Sequence, residues 1–305
     1  MKLKHLFSCV VTGLFLLPSV NTFAQSNAIT ITVLATFDVP GTGNSTTPYS
    51  INARGEISGY YTDSTGATRG FVRLANGNIM APIIEPNDTG SFTVALGLNS
   101  SRTVVGEYYT FADNTYHGFF LSGGVYTQYD IGGPFSTAIQ GINDAGNFSG
   151  TFGSFAQPNM GYVNIGGVVT TFGVAGAFET SASGISPTNQ VVGSYDDTVV
   201  THAFFRDTDG TITAPIDYPG STYSVLLGIN DKGIMSGRYI DASGGVHGML
   251  FKRPNRFVSF DYPTAVETSL NGINHNGLIA GRYTDSGGIR HGFLARESTG
   301  LIELP

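Results

Sequence analysis

A phrase that returns six times at a nearly fixed spacing constrains this chain more than any other feature. It begins Gly-Ile-Asn and continues, at set distances, with Gly, Gly and Tyr, most clearly in the copies that start at Gly228 and Gly272. Its third position recurs at spacings of 47, 44, 43, 44 and 44 residues. The residues at that position are Asn52, Asn99, Asn143, Ser186, Asn230 and Asn274. A period near 44 residues predicts a repeat architecture.

Each period contains four short apolar runs separated by turn residues, a pattern typical of strands. In the fifth period the runs are 224–230, 234–240, 247–252 and 256–262. Six such repeats predict an all-β fold, a six-bladed β-propeller made of four-stranded antiparallel blades. An open β-solenoid is the alternative, but its coils are usually shorter, about 20–30 residues.

Turn and strand residues recur with the period and predict structural roles. The Asn of the phrase opens a turn that a Gly closes, because Asn can cap its own backbone and Gly accepts a positive φ. Glycines inside the second strand predict the close approach of another backbone, and they include Gly193, Gly237 and Gly281. A Phe-Asp-Val-Pro type strand occurs seven times, from residues 37–40 to 302–305. The surplus copy predicts that one end of the chain completes a blade begun by the other, without indicating which.

The N-terminal segment has the features of a secretory signal peptide. Lys2 and Lys4 precede an apolar run over residues 6–17, and small residues precede a predicted cleavage after Ala24. Residues 25–305 would then form a single propeller domain, secreted or periplasmic, which we expect to be a monomer. Loss of the two lysines moves the formal net charge from −7 to −9. This charge argues against a nucleic-acid partner, and no later apolar run is long enough to span a membrane.

Together these motifs resemble a known repeat family. The third strand opens with His202-Ala203-Phe204 and with related tripeptides at His117, His247 and His291. With the Gly-Ile-Asn phrase, the chain resembles the bacterial extracellular repeat family named HAF after that tripeptide. The resemblance covers nearly all of residues 25–305 and implies an exported, propeller-like protein, but it implies no catalytic residue set. Arg69 and Met160 depart from the histidine of the motif.

Four histidines at one repeat position are the first candidates for a site: His117, His202, His247 and His291. Asp197, Asp241 and Asp285 precede three of them by five or six residues, and Asp63 and Arg69 hold these places in the first repeat. The spacing predicts an acid beside each imidazole across a hairpin, a structural pair. The alternative is a histidine ring that binds a metal or an anion. Because equivalent positions on different blades are far apart compared with a zinc–nitrogen bond, we predict no metal site.

Two further groups could bind a ligand. Arg238 and Arg282 share one repeat position with Glu107 and Tyr60, which predicts that this position faces solvent or the channel. The arginines either form a solvated strand face or grip a carboxylated sugar. An aromatic cluster that could stack on sugar rings contains Tyr108, Tyr109, Phe111 and Tyr116. The stretch 207–210 opens like a calcium loop but lacks the distal Glu, so we interpret it as a hairpin turn and expect no cofactor.

The sequence contains no familiar catalytic motif such as Gly-x-Ser-x-Gly, His-Glu-x-x-His or a phosphate loop. It therefore favours a binding scaffold over an enzyme, with a glycan or another exported protein as partner. The second hypothesis is a lyase or hydrolase that acts on acidic polysaccharide, with His and Tyr as acid and base and Arg holding the uronate. A purely structural envelope protein is the third. The enzyme hypothesis predicts that non-repeating residues of different blades converge at one mouth of the channel.

Overall fold

The computed structural model describes residues 29–133, 135–154 and 157–299, and within them it contains 24 β-strands and no helix. The all-β prediction is therefore confirmed, and no helix capable of crossing a membrane occurs in the described segments. Consecutive strands pair antiparallel in groups of four, which we call units one to six.

Units one to three follow the chain from the first Asn phrase. Unit one contains β2 Thr42–Ile51, β3 Ile57–Asp63, β4 Thr68–Arg73 and β5 Ile79–Ile83. Unit two contains β6 Thr93–Leu98, β7 Val104–Thr110, β8 Thr115–Ser122 and β9 Val125–Tyr129. Unit three contains β10 Ser136–Ile142, β11 Phe148–Ser154, β12 Gln157–Ile165 and β13 Val168–Phe172.

Units four to six repeat this plan. Unit four contains β14 Glu179–Ile185, β15 Val191–Asp196, β16 Thr201–Arg206 and the short β17 Ile212–Thr213. Unit five contains β18 Tyr223–Ile229, β19 Ile234–Ile240, β20 Val246–Lys252 and β21 Arg256–Phe260. Unit six contains β22 Glu267–Ile273, β23 Leu278–Thr284, β24 Arg290–Thr299 and β1 Ile29–Phe37.

The N-terminal strand completes the last unit. β1 pairs antiparallel with β24, from Ile29 opposite Thr299 to Phe37 opposite Gly292. The first and last described strands therefore meet in unit six, as the surplus copy of the phrase predicted. The predicted strand at 302–305 lies outside the described residues.

The units do not form six separate sheets. The strands belong to one sheet of sixteen and two sheets of four. The large sheet arises because single parallel residue pairs link units four, five, six and one, and these pairs are Thr201 with Tyr223, Val246 with Glu267, and Ser45 with Arg290. Six independent four-stranded sheets are therefore not confirmed.

The Phe-Asp-Val-Pro phrase is not itself a strand, which corrects the sequence interpretation. β1 ends at Phe37 and β21 at Phe260, so the Asp and Pro that follow lie beyond the strand. In unit four, Ile216 lies past the end of β17. Proline cannot donate to a strand ladder, and the aspartates bind neighbouring histidines instead.

The Asn of the repeat phrase joins each turn to the next unit. Asn230 Oδ1 accepts hydrogen bonds from the backbone N–H groups of Lys232 and Ile234, both at 3.0 Å. Its Nδ2 donates to the carbonyl of Asn274, and Asn274 Nδ2 donates to the carbonyl of Asn52 at 2.8 Å. The same side-chain link leaves Asn52, Asn99 and Asn143. The turn cap was predicted, whereas the link between units was not.

Glycines allow the first strands of adjacent units to pack backbone against backbone. A Cβ on Gly228 would lie 3.0 Å from Gly272 Cα, and a Cβ on Gly272 would lie 3.0 Å from Ser50 Cα. At the predicted strand positions, a Cβ on Gly193 or Gly237 would collide with a carbonyl of the neighbouring strand, whereas Gly281 faces the ring of Phe293. The apolar core fills the space between units, as where Val192 and Phe205 of unit four pack with Leu226 and Met249 of unit five.

Candidate functional site

A β-bulge in each first strand aims one variable residue out of the strand ladder. The bulge lies at the residue just before the glycine that begins the Gly-Ile-Asn phrase. In unit one, where serine replaces this glycine, it lies just before Ser50. The six bulged residues are Tyr49, Leu96, Gln140, Ser183, Leu227 and Asn271. Bulges commonly re-aim side chains next to functional sites. All but Leu96 line one central cavity of about 110 Å³, together with the Asn turns.

Tyr49 crosses the centre of the molecule. It belongs to unit one, but its side chain interacts with Ser183 of unit four. Burial, and then the charges of Tyr60 and Glu107, raise its pKa, while Arg238 opposes that rise. Residues from units one, two, four and five are therefore within electrostatic reach of this one hydroxyl.

A larger cavity of about 600 Å³ opens next to the centre, over units two, three and four. We call it the polar cavity. Its polar side chains are Glu107, Tyr116, Ser136, Thr137, Gln140, Thr151, Ser154, Asn159, Glu179, Thr180, Ser181, Ser194, Tyr195 and Asp196. Gln140 lines both cavities, which places the polar cavity beside the central one.

The polar cavity exists because unit three has small residues where other units have large ones. Ser136 stands five residues before the phrase glycine, where units two and five have Phe92 and Tyr223. Thr151 follows the second-strand glycine, where units five and six have arginine, as at Arg238. The shorter side chains leave space in unit three that the same fold fills elsewhere.

Two hydroxyl groups hold the side-chain amide of Gln140 in the polar cavity. Thr151 Oγ1 donates to Gln140 Oε1 at 3.2 Å, and Ser181 Oγ donates to the same oxygen at 3.3 Å. The two hydroxyls are themselves 2.9 Å apart. No residue in the described part of the chain accepts a hydrogen bond from Gln140 Nε2, which can therefore donate to a ligand.

Glu107 is the unusual group of the polar cavity. It makes no hydrogen bond or ion pair with another described residue, and its remaining exposed surface faces the cavity, deep in the protein. Burial raises the pKa of Glu107 to about 7. Such a carboxyl exists in both protonation states near neutrality, so it can donate or accept a hydrogen bond.

An aromatic cluster reaches the polar cavity through Tyr116. The ring of Tyr109 lies 5.3 Å from that of Phe111 and 5.0 Å from that of Tyr116. Phe111 is 68% exposed and Tyr116 37% exposed, and Tyr116 also lines the cavity. Tyr108 does not belong to this surface, because it is buried and its hydroxyl donates to Gln128 at 2.7 Å.

The arginines lie on the side of units five and six. Arg282 is buried and donates to Glu267 at 3.3 Å. Burial lowers the pKa of Arg282, and the charges of Arg238 and Arg290 lower it further. Arg238 donates to the Tyr223 hydroxyl at 3.3 Å. The centre is therefore divided into a basic side with occupied arginines and an acidic side that contains the polar cavity.

The four repeat histidines lie on the third strand of their units, at the outer end, away from the first strands that line the central cavity. Each histidine binds two aspartates, and we call this arrangement the Asp–His–Asp clasp. In unit five, His247 Nδ1 lies 2.8 Å from Asp261 and Nε2 lies 3.1 Å from Asp241. The ring stacks on Tyr239 with centroids 4.9 Å apart. The other clasps are His117 with Asp113 and Asp130, His202 with Asp197 and Asp217, and His291 with Asp285 and Asp38. In unit one, Arg69 contacts Asp63 and Asp88 in the same way, each at 3.4 Å.

The ring nitrogens of the clasp histidines are held by aspartates and are not open to a ligand. Burial lowers the pKa of His247, but the hydrogen bonds that its ring donates to Asp261 and Asp241 outweigh this effect, so the pKa is raised overall. The same balance raises the pKa of His202 and His291. Both ring nitrogens are occupied, and the described residues contain no group of three or more side chains placed to hold a metal. The candidate calcium stretch is a turn, in which Gly210 N–H donates to the carbonyl of Asp207 at 3.0 Å.

Unit three lacks the clasp. Met160 stands where the histidine would be, and Gly173 replaces the second aspartate. The unit that departs from the repeat at its outer end is thus the unit whose small residues open the polar cavity. The sequence interpretation missed Gln140 and Glu179. The signal that could have found this region was the concentration of departures in the third repeat.

The fold resembles that of several solved proteins, although no protein-family model and no curated protein matches the sequence. A lectin from Aleuria aurantia, described as a six-bladed β-propeller with a novel fucose recognition mode, is 13% identical, with 85% of this chain and 93% of the lectin covered and a TM-score of 0.50. A mutant of AofleA from Arthrobotrys oligospora is 10% identical, with 90% of each chain covered and a TM-score of 0.53. Virginiamycin B lyase from Staphylococcus aureus is 14% identical, with coverage of 87% and 88% and a TM-score of 0.47. The likeness to the Aleuria aurantia lectin shows a β-propeller fold, and identities this low transfer no residue roles.

Proposed function

We propose that this protein is an exported six-bladed β-propeller that binds carbohydrate in the polar cavity. Six antiparallel groups of four strands support the blade count. The link from Asn274 to Asn52 and the pairing of β1 with β24 support a closed ring. The signal-peptide features and the resemblance to the HAF family support export.

The observation that carries the binding proposal is the chemistry of the polar cavity. It presents carboxylates, amides and hydroxyls in a space of about 600 Å³, within the usual range for ligand pockets. Sugar hydroxyls both donate and accept hydrogen bonds, which such a lining can satisfy. The exposed ring of Tyr116, which lines the cavity, offers an apolar face to a sugar ring. The lectin described with fucose recognition supports only the general point that this fold can bind sugar.

The test is to fill the cavity with a side chain that the repeat already tolerates. Ser136→Tyr introduces in unit three the residue found at the same position in unit five. Thr170→Tyr, on the exposed outer strand of the same unit, is the matched control. On a glycan array, we expect wild type and Thr170→Tyr to share a binding pattern that Ser136→Tyr loses. Equal binding by all three proteins, or binding by none, would reject the proposal.

A second candidate is an enzyme that uses Glu107 as a general acid or base. Two observations favour it: the raised pKa of Glu107, and the convergence of non-repeating residues at one end of the centre. The clasp histidines do not suit the catalytic role predicted for them, because both nitrogens are occupied. If Glu107 is catalytic, wild type should cleave one of the bound polysaccharides, whereas Glu107→Gln should bind it without turnover. If the wild type binds a polysaccharide without cleaving it, the enzyme hypothesis is rejected and the binding function remains.

A further inference from the structure

The polar cavity carries an uncompensated negative charge. Three carboxyl groups line it, those of Glu107, Glu179 and Asp196, and its described lining residues include no Lys, Arg or His. The arginines on the side of units five and six are already occupied, since Arg282 binds Glu267 and Arg238 binds the hydroxyl of Tyr223. Burial alone accounts for the pKa of Glu107, without a contribution from either arginine.

Neutral donors satisfy only part of these carboxyl groups. Asn159 Nδ2 donates to Glu179 at 3.3 Å, and Thr201 Oγ1 donates to Asp196 at 2.5 Å. Glu107 has no hydrogen-bond partner among the described residues, although it is largely buried and lines the cavity. Burial of an unpaired carboxylate is costly, and a ligand that brings a positive charge would remove that cost.

We propose that the polar cavity recognises an amino sugar with a free, protonated amino group, which Glu107 binds directly. This inference rests on the proposed carbohydrate-binding function and names its ligand class. Gln140 and the hydroxyls of Thr151 and Ser181 then meet the sugar hydroxyls. Tyr116 lines the same cavity as Glu107, so its ring can offer an aromatic face to the ammonium group.

This ligand class replaces the carboxylated sugar considered from the sequence. That hypothesis required two free arginines, but Arg282 is buried against Glu267 and its pKa is lowered. An acidic sugar in the polar cavity would add a further negative charge beside Glu107. The structure therefore places the unsatisfied charge on the acidic side and favours a cationic ligand.

Three trisaccharides that differ in one substituent test the inference. They are the trisaccharides of glucosamine, N-acetylglucosamine and glucose, all β-1,4-linked, titrated calorimetrically into the full protein at pH 7. We expect the glucosamine trisaccharide to bind at least about tenfold more tightly than the other two. Glu107→Gln should abolish this preference, whereas Asp209→Asn, which removes a charge from an exposed turn of unit four, should leave it unchanged.

The possible failures are distinguishable. Equal affinity for the three trisaccharides would overturn the amino-group inference and leave carbohydrate binding intact. Retention of the preference in Glu107→Gln would also overturn it, because the amino group would then be bound elsewhere. Absence of binding to all three trisaccharides, together with a glycan array that is negative, would reject the proposed function itself.

Discussion

The outer end of the units and the centre of the molecule use one repeat in opposite ways. At the outer end, the same Asp–His–Asp clasp recurs in four units, and an arginine replaces the histidine in unit one. At the centre, equivalent positions carry different residues, such as Glu107, Thr151 and Arg282. Residues that recur stabilise each unit, whereas residues that differ create one asymmetric cavity. Unit three connects the two patterns, because it has lost the clasp and opened the cavity.

The largest expected effect comes from breaking the packing that all units share at the centre. Gly228→Val should lower the free energy of unfolding by about 3 kcal/mol or more, because its Cβ would press on the backbone of Gly272 and Asn271. Chemical denaturation measures the change. Gly173→Ala is the control, since its Cβ would meet only Thr180 Oγ1 at 3.7 Å. A tolerated valine would show that the backbones are not in contact.

Replacing Glu107, a variable residue at the centre, should raise the free energy of unfolding instead of lowering it. The pKa of Glu107 is raised from 4.5 to about 7, so the folded state binds its proton more strongly than the unfolded state. Its contribution to stability is therefore full below about pH 4.5 and is lost as the pH rises through 7. Glu107→Gln should stabilise the protein by about 2 kcal/mol at pH 8 and leave it nearly unchanged at pH 4. Equal effects at both pH values would contradict the raised pKa.

A clasp should contribute less, with its own pH dependence. His247→Gln should cost about 1 kcal/mol at pH 6, because the pair is only half-buried. The raised pKa of His247 means that this stability is full below about pH 6.5 and declines as the pH rises through the folded-state value. Thermal unfolding should show a smaller difference in melting temperature between wild type and His247→Gln at pH 9 than at pH 6. His275→Gln, which removes an exposed His–Asp pair outside the clasps, should have a smaller effect at pH 6.

The smallest expected effect repairs an irregular repeat position. Ser186 caps its own turn, accepting from the backbone N–H groups of Thr188 and Gln190, but it has no amide to donate to unit five. Ser186→Asn should add the link that joins the other units and stabilise the protein by about 0.5–1 kcal/mol. The melting temperature measures this gain. An unchanged or lower value would indicate that units four and five are spaced differently from the rest.

The sequence predicted the features that depend on local chemistry. The period, the four runs of each repeat and the capping by Asn230 follow from strand alternation and turn residues. The acid beside His247 followed from hairpin spacing. Its second acid, Asp261, was not predicted because that contact depends on the position of the fourth strand.

The site depends on relations between units that the spacing does not reveal. The bulge at Gln140 and the convergence of Glu107 with Asp196 depend on how three units are arranged around the centre. Glu107 was predicted to face solvent or the channel, but its lack of a partner among the described residues follows from the small residues of unit three. The variable positions could be identified from the sequence, but only the structure shows which of them lie close together.

The most direct test of the central claim is a crystal structure of the protein with the glucosamine trisaccharide. The account predicts electron density for a sugar in the polar cavity, with an amino group within hydrogen-bond distance of Glu107 and a hydroxyl near Gln140. Sugar density at the Asp–His–Asp clasps, with none in the polar cavity, would contradict the account. The absence of any bound sugar at a saturating concentration of the trisaccharide would also contradict it.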